Sequence, residues 1–376
     1  MIKLTPPMGW NTWNTFAEKI NEELILRSAD ILAGSRLKKS GYEYIVIDDC
    51  WAKRSRDKNG RLVCDEQKFP RGMKYIADYI HKKGLKFGMY SCCGVMTCQA
   101  YPASCNYEYI DAETFAEWGV DFLKYDYCYK PDGLNGKDLY RRMGLALANC
   151  GRDILFSGCS WGADNTPEWI GTTGANMWRS TPDIFDTFDS IKTIIKSQYN
   201  ILPYGGLGCF NDMDMLVVGM GGKGFVGLKG CSADEYKLHF AVWCMLASPL
   251  MIGCDIRETD DVTMSILTNA DLIAINQDAR CNKPYIRLHD GNEDLPIIVR
   301  ALENGDLAVA FVNMTDGPAF FWVPTDDIGL PTFVNKTFKG VEAYTGDSVE
   351  VVNGTVQRFV QSHTAAVIRL KVVDKQ

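Results

Sequence analysis

Residues 122–128, Phe-Leu-Lys-Tyr-Asp-Tyr-Cys, combine strand-forming side chains with groups that can do chemistry. Successive side chains on a strand point to opposite faces, so Lys124 and Asp126 share one face. A nearby ammonium group favours the ionised form of a carboxylate, and an ionised carboxylate can act as a nucleophile. These seven residues fit a purely structural ion pair equally well. The rest of the chain is needed to decide between a catalytic and a structural role.

The composition points to chemistry done by carboxylates. Of the 376 residues, 46% are hydrophobic and 23% are charged, and the formal net charge is −7. Because phosphate binding needs a basic surface, nucleic acid is not expected as a partner. The chain has only four histidines, and its fourteen cysteines form no CxxC pair. We therefore expect no metal and no cofactor. With so few histidines, catalysis that depends on histidine is not favoured.

The apolar runs and the N-terminal residues indicate in which cellular compartment the protein is expected. No apolar run is long enough to span a membrane, and residues 1–7 lack the apolar core of a signal peptide. We expect a cytoplasmic protein, or a secreted one if a leader has been removed, with no membrane partner. Most cysteines are then expected to be free thiols. The sequence does not determine the oligomeric state, and a homo-oligomer is one possibility.

Short apolar segments alternate with helical patterns through the first 280 residues. Eight segments read as strands, at 8–13, 44–47, 86–91, 122–127, 154–158, 176–179, before 211, and at 249–252. The second is typical: a continuous apolar run, as in a strand buried on both faces, ends in Asp48 and Asp49. The alternation predicts a (β/α)₈ barrel over residues 1–280, with its active site at the C-terminal ends of the strands.

The pattern changes after about residue 280. Runs at 296–302 and 307–313 are joined by Glu-Asn-Gly-Asp, which predicts a hairpin. Further strand-like runs lie at 320–323, 349–352 and 365–372. We predict that residues 281–376 form an antiparallel, all-β sandwich.

Polar and aromatic residues gather where the barrel prediction puts strand ends. They are Trp10, Asp48, Asp49, Trp51, Tyr90, Asp126, Cys159, Trp161, Arg179, Asp183 and Asp214. A single aspartate after a strand is often only a helix cap, but many at corresponding positions indicate an active site. Aromatic rings beside carboxylates and an arginine suit a sugar, because its apolar face stacks while its hydroxyls form hydrogen bonds.

Asp126 and Asp183 are the carboxylates best suited to work as a pair on a glycosidic bond. In retaining glycosidases one carboxylate attacks the anomeric carbon while the other protonates the leaving oxygen. Lys124 is expected to keep Asp126 ionised, and partial burial in its loop is expected to raise the pKa of Asp183.

Five motifs in this order resemble glycoside hydrolase family 27, the family of α-galactosidases and α-N-acetylgalactosaminidases. They are Met-Gly-Trp-Asn-Thr-Trp-Asn at 8–14, Ile-Asp-Asp-Cys-Trp at 47–51, Gly-Val-Asp-Phe-Leu-Lys-Tyr-Asp at 119–126, Trp-Arg at 178–179 and Asn-Asp-Met-Asp-Met-Leu at 211–216. The resemblance runs from Pro6 to about Asp278 and continues more weakly into the β tail.

The resemblance implies a retaining exo-glycosidase that removes terminal α-linked galactose from oligosaccharides or glycoconjugates. By it, Asp126 is the nucleophile and Asp183 the acid/base. It also implies that Trp10 stacks on the sugar ring and that Cys98 and Cys128 match a family disulfide. The substrate-binding residues it implies are Trp10, Asp48, Asp49, Tyr90, Cys98, Lys124, Cys159, Ser160, Trp161, Arg179 and Asp214.

Three alternatives stay open at this point. Family members specific for N-acetylgalactosamine carry Ser and Ala at the positions of Ser160 and Ala163, whereas the flanking sequence resembles galactosidases. A related pyranoside such as β-L-arabinopyranose is another substrate class. An inactive sugar-binding barrel is the third, although the presence of both aspartates argues against it. Cys92 and Tyr127 depart from the family pattern and are expected to reshape the pocket.

Overall fold

The computed structural model describes residues 5–375. Eight short parallel strands form its first sheet, in the order β7-β6-β5-β4-β3-β2-β1-β8. Their bounds are β1 Met8–Asn11, β2 Tyr44–Val46, β3 Lys86–Cys92, β4 Phe122–Asp126, β5 Leu155–Cys159, β6 Met177–Arg179, β7 Phe210–Asp212 and β8 Leu250–Ile252. A parallel bridge between Leu216, just after β7, and Ile252 of β8 closes the ring. The predicted (β/α)₈ barrel is confirmed.

Helices surround the strands and connect them. Their bounds are α1 Trp13–Phe16, α2 Glu22–Gly34, α3 Arg36–Ser40, α4 Gly72–Lys82, α5 Glu108–Trp118, α6 Gly136–Asn149, α7 Thr166–Trp169, α8 Phe188–Ser197, α9 Ala233–Met245, α10 Asp261–Leu267 and α11 Ala270–Asn276. Within residues 5–375, none of these helices has both the length and the apolar character needed to cross a membrane.

Local sequence explains where several helices begin. The Asn21 side chain accepts a hydrogen bond from the backbone N–H of Leu24 at 2.9 Å and so caps α2. Ser232 and Glu235 form a capping box at the start of α9, as their spacing predicts. These caps fix the helices that pack on the outer face of the barrel.

Strand β4 shows how the barrel presents its chemistry. Phe122, near its start, packs inside the barrel in a cluster that includes Tyr44 and Leu155. Lys124 and Asp126 follow on the same face at steps of two residues and line a pocket at the C-terminal end. Tyr125 faces the other way, into the layer between strands and helices. One face of β4 therefore begins with an apolar residue packed inside the barrel and ends with two charged residues, Lys124 and Asp126, that line the pocket.

The C-terminal part is a second, antiparallel sheet of eight strands, in the order β12-β15-β14-β13-β16-β11-β10-β9. The bounds are β9 Tyr285–Leu288, β10 Pro296–Ala301, β11 Leu307–Asn313, β12 Ala319–Pro324, β13 Lys336–Glu342, β14 Ser348–Val352, β15 Thr355–Val360 and β16 Thr364–Asp374. The sheet folds over, so that Phe321 on β12 packs on Phe311 of β11 with ring centroids 5.4 Å apart.

Side chains that alternate between the two faces of β10 and β11 explain how this domain packs against the barrel. On β10 and β11, Val299 and Phe311 point into the core of the β domain itself. Their neighbours Ile298 and Ala310 point the other way and join the core of the barrel. The buried Arg300 donates through Nη1 to the carbonyl of Ile275 on α11 at 2.9 Å. The two domains therefore share one continuous hydrophobic interface.

Candidate active site

A pocket at the C-terminal ends of the barrel strands collects most of the predicted site residues. Its lining consists of Trp13, Asn14, Asp48, Asp49, Tyr90, Cys98, Lys124, Asp126, Trp161, Arg179, Asp183, Asp214, Met215 and Val226. The predicted residues outside this lining are Trp10, Trp51, Cys159 and Ser160. Trp51 is buried, and its indole N–H donates to the carbonyl of Tyr90 at 2.9 Å. The residues that the sequence interpretation missed are Trp13, Asn14, Met215 and Val226. The first three lie within the quoted motifs, whereas Val226 belongs to a glycine-rich loop without a motif.

Asp126 is buried, and both of its carboxylate oxygens are held. Oδ2 accepts a hydrogen bond from the Tyr90 hydroxyl at 2.9 Å, and Oδ1 accepts one from the backbone N–H of Tyr127 at 2.9 Å. Burial raises the pKa of Asp126, and the positive charge of Lys124 opposes that rise. The carboxylate is thus fixed in one orientation toward the pocket.

Lys124 acts on Asp126 through its charge, which favours the ionised carboxylate as the sequence predicts. Its direct partner is another carboxylate, from the end of β2. The Nζ donates to Oδ2 of Asp48 at 2.9 Å, and the same oxygen accepts from Nδ2 of Asn11 at 2.7 Å. Burial alone would lower the pKa of Lys124, but the adjacent Asp48 carboxylate raises it above its ordinary value.

Asp49 lies beside this pair and is held by two backbone N–H groups. Oδ1 accepts from Cys50 at 2.6 Å, and Oδ2 accepts from Gln99 at 3.0 Å. Burial nevertheless raises the pKa of Asp49 to about 6. Asp48 and Asp49 therefore offer the pocket two carboxylate groups in a position to accept hydrogen bonds from hydroxyls of a ligand.

Arg179 joins two carboxylates on the opposite wall. Its Nη2 donates to Oδ1 of Asp183 at 2.5 Å and lies 3.1 Å from Oδ2 of Asp214. The Asp183 side chain is 62% exposed. Partial desolvation pushes its pKa upward even though the side chain is largely exposed, but the charge of Arg179 and the hydrogen bond from it hold the pKa of Asp183 below its ordinary value. The expected rise in this pKa was therefore wrong.

Trp10 was predicted to stack on a sugar, but the structure buries it completely. Its indole N–H donates to the carbonyl of Cys254 at 2.8 Å, and its ring packs on Phe16. Trp13, three residues later, is half-buried and lines the pocket. The aromatic wall of the pocket is therefore Trp13, with Trp161 as the other pocket tryptophan.

Cys159 and Ser160 also lie behind the pocket wall. The Cys159 sulfur is buried, 3.8 Å from Nη1 of Arg179. The Ser160 hydroxyl is fully buried and hydrogen-bonded to the Thr166 hydroxyl at 2.6 Å. The next residue, Trp161, is the one that reaches the pocket. The prediction that Ser160 contacts a sugar substituent is therefore wrong.

Cys98 and Cys128 form a disulfide, with their Cα atoms 5.1 Å apart. The bond joins the loop after β3 to the loop after β4, and the Cys98 sulfur lies 3.3 Å from Oδ2 of Asp126. These three residues bring potential metal-ligand atoms within 4.8 Å of one another, but the paired sulfurs are not thiolates and do not make a metal site. The disulfide instead closes one side of the pocket.

Cys92 and Tyr127 were expected to reshape the pocket, and neither of them lines it. The Cys92 thiol is buried and contacts the carbonyl of Cys128 at 3.1 Å. The Tyr127 hydroxyl donates to Asp164, and its ring lies edge-on to Trp161 with centroids 6.2 Å apart. Both residues support pocket residues from behind.

A barrel with two carboxylates and aromatic rings in one pocket at its strand ends has the site of a glycoside hydrolase. Residues 5–278 match the family Melibiase_2, described as Alpha galactosidase A. The α-galactosidase of Cyamopsis tetragonoloba is 39% identical over 360 residues, which cover 96% of this chain and 84% of that relative. The chain belongs to the α-galactosidase family, glycoside hydrolase family 27.

Solved structures agree with this assignment over both domains. α-Galactosidase I from Mortierella vinacea superposes with a TM-score of 0.91 at 34% identity and covers 99% of this chain and 98% of that one. The α-galactosidase from Saccharomyces cerevisiae with raffinose gives a TM-score of 0.87 at 29% identity, with 98% of each chain covered. The similarity thus includes the C-terminal β domain, where the sequence resemblance was weaker.

Proposed function

We propose that this chain hydrolyses terminal α-linked galactosides of oligosaccharides with net retention of configuration, using Asp126 as nucleophile and Asp183 as acid/base. The observation that carries the proposal is that both carboxylates open into one pocket with opposite surroundings. Asp126 is buried and locked by two donors, whereas Asp183 is largely exposed and held by one arginine. A nucleophile needs the first environment, and a group that exchanges protons with leaving groups and water needs the second.

In the first step, Asp126 attacks the anomeric carbon while Asp183 gives its proton to the glycosidic oxygen. The bond to the leaving sugar breaks, and a covalent galactosyl ester on Asp126 forms. The Tyr90 hydroxyl and the Tyr127 N–H each contact one oxygen of Asp126 and set the angle of attack. In the second step, Asp183 takes a proton from water, the water oxygen attacks the anomeric carbon and Asp126 leaves.

Arg179 has to release Asp183 for this cycle. In the ion pair the carboxyl of Asp183 is held as the anion, whereas the first step needs it protonated. Asp183 is bound by Nη2 of Arg179. A sugar hydroxyl that accepts a hydrogen bond from this nitrogen would compete with Asp183 for the guanidinium group.

The arrangement around Trp161 favours plain galactose over its 2-acetamido analogue. The serine that suggested an acetamido pocket is engaged with Thr166 behind the wall. The indole of Trp161 is itself part of the pocket wall, and so large a side chain leaves less room in the pocket for an acetamido group. Oligosaccharide substrates fit the pocket because it is open at Asp183, and the similar Saccharomyces cerevisiae enzyme has been solved with raffinose.

The stereochemistry of azide rescue tests both catalytic roles. With α-galactosyl fluoride, Asp126→Gly should be inactive until azide is added and should then give β-galactosyl azide, because azide replaces the nucleophile. With 2,4-dinitrophenyl α-galactoside, Asp183→Ala should give α-galactosyl azide, because azide attacks the covalent intermediate from the side that water normally uses. NMR of the products distinguishes the two anomers.

The control for this experiment is Asp132→Ala, a substitution at an exposed position outside the pocket. It should keep wild-type turnover and form no azide product. Full turnover by Asp126→Gly without azide, or the same anomer from both catalytic variants, would reject the assignment of roles.

Sugar preference is tested by comparing aryl α-galactoside with aryl α-N-acetylgalactosaminide at equal concentrations. We expect the wild type to prefer the plain galactoside strongly, and Ser160→Ala to keep that preference because the hydroxyl faces Thr166. A higher kcat/KM on the acetamido substrate would overturn the galactoside assignment while leaving the retaining mechanism intact.

A further inference from the structure

An exposed phenylalanine, Phe225, lies at the mouth of the pocket, next to the lining residue Val226. Its side chain is 58% exposed. Its ring meets the ring of Trp13 edge-on, with centroids 5.4 Å apart, and Trp13 lines the pocket. An aromatic surface therefore continues from the sugar pocket out to the solvent.

The loop that carries Phe225 is held rigidly despite its exposure. The backbone N–H groups of Phe225 and Val226 donate to the carbonyls of Thr15 and Asn14 at 3.2 and 3.0 Å. Gly224 has a φ of +82°, and a Cβ there would lie 2.8 Å from the Cα of Thr15. Glycine is required for so close an approach. The backbone that carries Phe225 is thus held in place, and the ring itself rests edge-on against Trp13.

The same loop is joined to the segment that carries the acid/base. The backbone N–H of Asp186 donates to the carbonyl of Val226 at 3.0 Å, and Asp186 lies three residues after Asp183. The Asp186 carboxylate also accepts from the N–H of Gly222 at 2.7 Å. Phe225 therefore belongs to the side of the pocket mouth where Asp183 stands.

That side is where the leaving group must lie, because Asp183 protonates the glycosidic oxygen. Pyranose rings have an apolar face that stacks on aromatic rings, and exposed aromatic surface beside a polar site commonly binds such faces. A compact leaving group would not extend as far as this ring, whereas a second sugar would.

We propose that Phe225 is the platform for the sugar on the leaving-group side of the scissile bond, and so selects oligosaccharides over galactosides with small leaving groups. This inference rests on the proposed function and deepens it. The occupant is the second pyranose ring of an α-galactosyl oligosaccharide. The ring stacks on Phe225 while the terminal galactose is held beside Trp13.

The test compares kcat/KM on two substrates that differ only in the leaving group. Galactosyl-α-1,6-glucose fills the leaving-group side, whereas α-galactosyl fluoride leaves it empty. Phe225→Ala should lower kcat/KM for the disaccharide by about fivefold to tenfold and change that for the fluoride by less than about twofold. Phe225→Tyr, which keeps a flat ring, should restore most of the disaccharide activity.

Phe320→Ala is the matched control, because Phe320 is 53% exposed on β12 of the C-terminal domain. It should change neither substrate's kcat/KM. An equal loss on both substrates with Phe225→Ala, or no loss on either, would overturn the platform. If the wild type hydrolysed neither substrate, the proposed function itself would fail. That outcome is visible in the wild type alone, so it is distinguishable from failure of the platform.

A second readout does not depend on the amount of folded enzyme. At high disaccharide concentration the covalent intermediate is attacked either by water or by an acceptor sugar bound on the leaving-group side. The ratio of transfer product to free galactose should fall in Phe225→Ala and return in Phe225→Tyr. An unchanged ratio in Phe225→Ala would contradict the proposal.

Discussion

Arg179 donates to Asp183 at 2.5 Å in the same pocket in which Asp126 is buried. Burial raises the pKa of Asp126 despite the charge of Lys124, whereas Arg179 lowers the pKa of the largely exposed Asp183. Catalysis needs Asp126 ionised and Asp183 protonated. Arg179 therefore has to loosen its hold on Asp183 when substrate binds.

The need for one ionised and one protonated carboxyl predicts a bell-shaped dependence of kcat/KM on pH, with its maximum in the acidic range between the two macroscopic pKa values. Arg179→Gln should move the alkaline limb to higher pH, because without the guanidinium charge Asp183 loses its proton less easily. Arg179→Lys keeps the charge and should leave the limb closer to that of the wild type, although both variants lose substrate affinity. An alkaline limb that stays in place or falls in Arg179→Gln would contradict the pairing argument.

Trp13 and Trp10 should differ in what their loss affects. Trp13→Ala removes a wall of the pocket and should lower kcat/KM roughly tenfold with little change in melting temperature. Trp10→Phe removes the donor to the buried carbonyl of Cys254 and should cost about 1–3 kcal/mol of stability. Thermal unfolding and steady-state kinetics on the two variants separate these roles, and the opposite outcome would return the stacking role to Trp10.

The alternation along β1 groups Trp10 with Met8 on one face, but the sequence does not show which face points into the barrel. The structure settles this: Gly9 on β1 pairs with Tyr44 on β2, and Tyr44 faces the barrel interior. Residues at steps of two share a face, so Gly9 and Asn11 point inward while Met8 and Trp10 point to the helices. What the alternation does not show is that Trp13, beyond the end of the strand, turns back to the pocket.

Other features depend on contacts between distant segments and were not predictable from local patterns. The eight barrel strands were found because continuous apolar runs ended in polar residues. Strands β9, β13 and β15 were missed because their burial is partial or broken, as in Lys-Thr-Phe-Lys-Gly-Val-Glu of β13. The ion pair of Lys124 with Asp48 also depends on folding, since 76 positions separate the two residues. The pKa direction of Asp183 failed for a different reason. Its partner Arg179 lies only four residues away, and the sequence interpretation considered the burial of Asp183 without that charge.

Asp49 should make stability depend on pH in a defined window. Its pKa is about 6 in the folded protein, against an ordinary value of 3.8, because of burial. The folded state then binds more protons than the unfolded state between these values, so the contribution of Asp49 to stability falls as pH rises from about 4 to 6. Relative to wild type, Asp49→Asn should gain stability over that window, by up to about 3 kcal/mol.

Urea unfolding at several pH values measures this difference. The exposed Asp132→Asn is the control and should follow the wild type throughout. If the stability difference between Asp49→Asn and wild type stays constant from pH 4 to 6, the carboxyl of Asp49 is not the source of the pH dependence of stability. The same variant should lose galactoside hydrolysis, because it offers one acceptor oxygen fewer to the sugar.

The disulfide between Cys98 and Cys128 should matter for activity as well as for stability. It closes a loop with a sequence separation of 30 and holds the Cys98 sulfur within 3.4 Å of the Tyr90 hydroxyl, which itself donates to Asp126. Replacing both cysteines by alanine should therefore cost about 2–4 kcal/mol of stability. It should also lower kcat/KM by about tenfold or more, because Asp126 loses part of its support.

Treatment of the wild type with a dithiol reductant should reproduce the kinetic loss, and reoxidation should reverse it. Cys150→Ala, at a half-buried free thiol that follows α6, is the matched control and should respond to neither treatment differently from wild type. Full activity in the reduced wild type would mean that packing alone holds the loop after β3 against the nucleophile. The stability cost would then be the only consequence of the bond, since loop closure acts on the unfolded chain whether or not the pocket depends on it.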